Sequence, residues 1–152
     1  MPLDCPMTRE SDARTTRQNS LGYIIQRLSG WLDEQMAAEL KPLGLSHAQF
    51  AVLMTVLEQE GQSQAEIGQK FHMPPYAISR AIDALEQQGN VVRRVNPQMR
   101  QAHGIHATDK AHTLAPRLYA IVQSLNARLL APLSPAEQDS FAVLLNRVHH
   151  GH

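Results

Sequence analysis

Between Asn90 and Thr108 the chain carries Arg93, Arg94 and Arg100, with His103 and His106, and no Asp or Glu. That local charge of +3 sits in a protein whose 14 Lys+Arg balance 14 Asp+Glu. A basic segment in a neutral chain is the footprint of a surface that meets phosphate at one place, not of a polycationic coat. Just upstream, Pro74-Pro75-Tyr76-Ala77-Ile78-Ser79-Arg80 opens an amphipathic run. Ile78, Ala81, Ile82 and Leu85 fall on its inner side, and Tyr76, Ala77, Ser79, Arg80 and Asp83 on its outer side. Small and hydrogen-bonding side chains at a helix start permit close approach to base edges and phosphates, and Arg80 is the best reader among them. A solvated surface arginine is the plain alternative for Arg80, as a solvated hairpin is for the basic segment.

A second group is chemically different. Tyr23, Arg27 and Trp31 recur at four-residue steps, so they share one side of a helix. An arginine between two aromatic rings suits a carboxylate on an apolar body. His47, Phe50 and Met54 at the next helix start complete this candidate effector site. Tyr23 and Trp31 also fit a dimer-interface core, with Arg27 reaching to solvent.

Elements must position these groups. Residues 1–19 show no period and read as a loose arm. Leu21, Ile24, Ile25, Leu28, Trp31, Leu32 and Met36 form one stripe on a first helix, stopped by Pro42 and Gly44. Ser46 with Gln49, and Ser63 with Glu66, have the spacing of capping boxes for a second and a short third helix. Pro74 and Pro75 start a fourth, which Gly89 ends. The period then changes: Val91–Val95, a turn at Asn96-Pro97-Gln98-Met99, and His103–Ala107 predict a two-stranded hairpin. Thr108 caps a long fifth helix that Pro116 should bend or disturb, and Ser134-Pro135-Ala136-Glu137 starts the last. The fold class is mainly α with a small two-stranded β-wing, a winged helix-turn-helix. In such a fold a short helix braces a second one in the major groove while a basic hairpin reaches the flanking backbone or minor groove. Ser63 and Gln64 on the bracing helix, Pro74, Pro75, Tyr76, Ala77, Ser79 and Arg80 on the reading helix, and Arg93, Arg94, Gln98 and Arg100 on the wing are the candidate DNA contacts.

The stretch from Ser63 to Lys110 resembles the MarR family of winged helix-turn-helix regulators. Met73-Pro74-Pro75-Tyr76-Ala77-Ile78-Ser79-Arg80, Leu85-Glu86-Gln87-Gln88-Gly89 and Val92-Arg93-Arg94 carry the resemblance, and Leu45-Ser46-His47-Ala48-Gln49-Phe50-Ala51-Val52-Leu53 is similar to the family's second-helix entry. With length and order, the likeness covers about residues 20–149. It implies a homodimer with interleaved terminal helices, a pseudo-palindromic double-stranded operator, and a small aromatic acid as effector. It divides the chain into a first dimerisation helix (20–45), a DNA-binding region (46–112) and C-terminal dimerisation helices (113–149), one compact domain overall. One departure stands out. The family's hairpin tip usually carries an acid two positions before its arginine; here the run is Asn96-Pro97-Gln98-Met99-Arg100-Gln101, which keeps the arginine and lacks the acids. Arg100 still suits a narrow minor groove.

Other functions find less support. A single cysteine, Cys5, permits no intrachain disulfide and no Cys-rich zinc site, and its surroundings show nothing that would lower a thiol pKa. His103 and His106 are three apart on a strand and point to opposite faces, so no metal site is expected. A Gly-rich phosphate loop, a nucleophile elbow and a metal triad are all missing, so neither an enzyme nor a cofactor is expected. No apolar run approaches the ~20 residues of a membrane span, and the N-terminus lacks a secretory layout, so the default location is the cytoplasm. A redox- or metal-responsive regulator, and a winged-helix dimer serving only as a protein–protein adaptor, are the alternatives.

Overall fold

The computed structural model describes residues 6–71, 73–95, 97–98 and 103–151, with side chains from residue 12 onward. Among the described residues seven α-helices and three strands follow one another: α1 Pro6–Gln18, α2 Leu21–Leu40, a 3-10 turn Lys41–Leu43, α3 His47–Glu58, β1 Gln62–Ser63, α4 Gln64–Gln69, α5 Pro75–Gln87, β2 Val91–Val95, β3 His103–Ala107, α6 Asp109–Leu130 and α7 Pro135–His150.

The helix starts are where short-range chemistry places them. Ser20 accepts from the Tyr23 N–H and starts α2. Ser46 with Gln49, Ser63 with Glu66 and Ser134 with Glu137 each close a reciprocal capping box. Two of these boxes are visible in ionisation. Backbone and hydroxyl hydrogen bonds from Ser63 hold the Glu66 carboxyl below its ordinary pKa, and Ser134 does the same to Glu137. A depressed carboxylate pKa adds stability that is present above the ordinary carboxylate range and lost as pH falls through the lowered value.

Two features differ from the sequence expectation. Pro6–Gln18 is a helix, not an aperiodic arm. It has helix formers such as Ala13, Arg14, Arg17 and Gln18 but no apolar stripe, and residues 12–19 are all exposed, so propensity rather than periodicity marks it. The sheet has three strands, not two, in the order β1-β3-β2 and antiparallel throughout. Val91 to Val95 pair with Ala107 to His103, while Gln62 and Ser63 pair with Ile105 and Gly104. A two-residue strand has no period to read. Its close approach does leave a mark: a Cβ on Gly104 would lie 2.9 Å from the Gly61 carbonyl oxygen. Helix α6 runs unbroken through Pro116.

The core lies mostly inside the α3–β3 unit and extends to Leu40 at the end of α2 and along α6 as far as Leu125. Leu40, Val52, Leu53, Val56, Ile67, Ile78, Ile82, Leu85, Val91, Ile105 and Leu118 are its fully buried large side chains. By contrast, only Leu40 is buried on α2, and no residue of α7 is. Leu21, Ile24, Ile25 and Leu28 on α2 and Val143, Leu144, Leu145 and Val148 on α7 stand exposed. No single helix among the described residues is long and apolar enough to cross a membrane.

Candidate nucleic-acid interface

Helix α5 is held from behind and open in front. Ile78, Ala81, Ile82 and Leu85 are buried in the core, as their spacing requires. Pro74 is the N-cap and Pro75 the first helical residue, where a missing N–H costs no hydrogen bond. Pro74, Pro75, Tyr76 and Arg80 are exposed, and Ala77 and Ser79 are half-buried between them. Ser63 and Gln64, at the start of α4, are half-buried. Arg80 has no carboxylate partner among the described residues, so its guanidinium is available to an external anion.

The wing divides its cations. Successive side chains of a strand point to opposite faces. Arg94 faces out and is exposed. Arg93 turns back onto α5, where its guanidinium donates to Asp83 Oδ1 at 2.6 Å and Glu86 Oε2 at 2.5 Å. Its backbone N–H also donates to Glu86 Oε1 at 3.3 Å. Burial disfavours the Arg93 charge, but the bonds and charges of Asp83 and Glu86 outweigh it and hold its pKa above the ordinary arginine value. Arg93 is therefore not a free cation for phosphate. It covers both acids of the reading helix and fixes the wing to that helix. The charge that the sequence assigns to the wing is thus partly cancelled by α5, a pairing across ten residues that local spacing does not reveal. Gln98 lies exposed in the turn after β2, and Arg100 lies outside the described residues.

This arrangement gives a prediction. Arg93→Ala leaves two unpaired carboxylates on α5 and, if α5 meets phosphate as the sequence expects, should weaken DNA binding about tenfold, or ~1.4 kcal/mol. The triple variant Arg93→Ala, Asp83→Asn, Glu86→Gln should regain most of that loss in a fluorescence anisotropy titration. A triple variant as weak as Arg93→Ala would show that Arg93 touches DNA directly. Arg93→Lys should not rescue, because one ammonium cannot reproduce the two-pronged fork.

A second tie holds the base of the sheet. Glu60, in the turn between α3 and β1, accepts from His112 Nε2 on α6 at 2.7 Å and lies 3.4 Å from His106 Nδ1 on β3. Local spacing sets His106 beside His103 and among the basic groups of the hairpin, and does not reveal its contact with the distant Glu60. Among the described residues no group of His, Cys, Asp and Glu is placed to hold a metal ion. Cys5 lies outside the described residues.

The six candidate effector residues lie on two helices, Tyr23, Arg27 and Trp31 on α2 and His47, Phe50 and Met54 on α3. Phe50 is buried in the core cluster, and Met54 packs partly buried against that cluster. His47 pairs with Asp33 at 3.4 Å. Arg17 of α1 stands 5.7 Å over the Tyr23 ring, a contact that the sequence did not suggest. Arg27 is exposed and Trp31 half-buried on the same helix.

Comparison with known proteins agrees with this geometry. The MarR family profile matches residues 43–102, from the 3-10 turn to the wing. The HTH-type transcriptional repressor Rv2887 of Mycobacterium tuberculosis is 30% identical over 128 residues, covering 84% of this chain and 92% of its own. Its crystal structure in complex with DNA superposes with a TM-score of 0.73 at 29% identity, covering 85% of this chain and 97% of that one. Its complex with salicylic acid gives 0.70 at the same identity, covering 85% and 96%. The chain belongs to the MarR family of winged helix-turn-helix transcriptional regulators.

Proposed function

We propose that this regulator binds a pseudo-palindromic double-stranded operator as a homodimer, acts as a repressor, and is released by a small organic acid. The observation that carries the DNA reading is α5: its exposed Arg80 has no acidic partner, while Arg93 occupies Asp83 and Glu86, the carboxylates of that helix that would repel phosphate. Residues 46–112 then form the DNA-binding region. Ser63, Gln64, Pro74, Pro75, Tyr76, Ala77, Ser79 and Arg80 would lie against the major groove, with Arg94, Gln98 and Arg100 on the flanking backbone or minor groove. Residues 20–45 and 113–149 supply the dimer. Their exposed apolar stripes on α2 and α7 form the kind of patch that marks a protein interface. The salicylic acid complex of the Mycobacterium relative supports an acidic effector. Tyr23, Arg27 and Trp31 remain a candidate surface for it. A protein of this type works in the cytoplasm and carries out no catalysis.

Effector release is a shift between two arrangements of the reading heads, and it cannot exceed the effector's difference in affinity for them. The test is an anisotropy titration of DNA from upstream of the protein's own gene against a shuffled duplex. Affinity for the native duplex should be higher, and its logarithm should fall linearly with the logarithm of salt concentration. Equal, salt-insensitive or absent binding would contradict the proposal and favour an adaptor role.

A further inference from the structure

Helix α2 is a lever held at one end. Its 20 residues span about 30 Å. Leu21, Ile24, Ile25 and Leu28 at its start stand exposed, while Leu40 at its end is buried and Met36 and Leu43 pack against the same core. The reading helix and wing therefore connect to the exposed stripe through the root of α2. Helix α6 makes a second connection, but Pro116 removes one of its backbone hydrogen bonds, so it bends most easily there. A lever of that length turns small angles into large shifts. A rotation of about 10° at the root moves the far end by roughly 5 Å, more than the ~3.4 Å step of one base pair along a strand. Whatever fixes that angle fixes how far apart two reading heads stand.

Gln88, the C-cap of α5, reaches that root. Its Nε2 donates to the Gly44 carbonyl at 2.9 Å, where the 3-10 turn after α2 ends with φ at +67°. The same Nε2 lies 3.4 Å from Gln49 Oε1, which also accepts from the Ser46 N–H at 3.1 Å. Both neighbours of Nε2 are acceptors, so the amide is fixed in this orientation, with Oε1 accepting from Asn90 Nδ2 at 3.3 Å. One half-buried side chain thus links the end of α2, the start of α3 and the residue that precedes the wing. Other ties reach α2: His47 Nδ1 lies 3.4 Å from Asp33 Oδ1, and Arg128 lies 3.0 Å from Gln35 Oε1 and 3.7 Å from Glu39 Oε1. These are solvent-exposed pairs, whose contribution is small.

We infer that Gln88 is a positioning residue: its bond to the Gly44 carbonyl sets the angle of the reading head on α2, and with it the half-site spacing that the dimer accepts. The inference rests on the dimeric operator reading above and gives Gln88 no contact with DNA. An inserted base pair moves one half-site by ~3.4 Å and turns it by about 35° round the duplex axis. Two heads locked at one angle cannot follow both changes, so the second head loses its site. Heads freed from the Gly44 tie follow the displaced half-site, and they also hold the native spacing less firmly.

The test is fluorescence anisotropy of the full chain on the upstream operator, on the same duplex with one base pair inserted or removed midway between its half-sites, and on a duplex holding a single half-site. The wild-type protein should prefer the native spacing by at least about tenfold, because a geometry that forbids simultaneous engagement forfeits the gain from two linked heads. Gln88→Leu, which keeps the helix end and loses the bond, should reduce that preference to about threefold or less while its affinity for the single half-site stays the same. Gln88→Glu can still accept from Asn90 Nδ2 but cannot donate to the Gly44 carbonyl, and should behave as Gln88→Leu does. A wild-type spacing preference in either variant would overturn the inference and leave the dimeric reading standing. An equal fall on single half-site and operator would also overturn it, since Gln88 would then only support the fold of each head. A wild-type protein that binds every spacing equally would overturn it together with the dimeric reading.

Discussion

A protein carrying Leu144→Glu and Val148→Glu should be a folded monomer that has lost operator affinity by about 10²–10⁴-fold, the gain that linking two binding modules provides. The two residues are four apart on α7, share one face, and are exposed in the single chain at 55% and 57%. Helix α7 buries nothing within its own chain, so the substitutions leave the core alone. In the proposed dimer its apolar face, with that of the first half of α2, is covered by the partner chain. Two carboxylates on such a face oppose association, because each would have to leave water without a partner. Light scattering reads the mass, circular dichroism the helix content, and anisotropy the affinity. A variant that stays dimeric with undiminished operator binding would show that the chains meet elsewhere.

Arg80→Ala is expected to lower operator affinity by roughly 1–3 kcal/mol, about 5- to 150-fold, and to relax base preference at the positions it faces. The size follows from a guanidinium at a helix start, able to present two parallel donors to a guanine edge. It also follows from the absence of competition, since Asp83 one turn away is already paired with Arg93. The measurement is a pair of titrations, on operator and on random duplex. A drop on operator alone marks base reading. An equal drop on both would reduce Arg80 to a phosphate contact.

Much of this fold is legible in the sequence, because its signals are local. Ser46, Ser63, Thr108 and Ser134 cap the helices that their spacing predicts, and Ile78, Ala81, Ile82 and Leu85 face the core as a 3.6-residue period requires. The hairpin announces itself by a change of period. What the sequence hid is non-local or aperiodic. Helix α1 has propensity without a stripe, and β1 is two residues long. The pairing of Arg93 with Asp83 and Glu86 joins a strand to a helix, so a count of charges overstates the wing as a phosphate contact. Phe50 looked equally suited to a cleft and to a core, and only packing places it in the core.

Hydroxyl-radical footprinting on the upstream DNA tests the central claim most directly, that a two-fold dimer reads DNA through α5 and the wing. Two protected segments related by symmetry should appear, centred about one helical turn (~10 base pairs) or a multiple of it apart. Protection should vanish with Leu144→Glu, Val148→Glu and weaken evenly in both segments with Arg80→Ala. A single asymmetric protected segment, or protection that survives both changes, would contradict it.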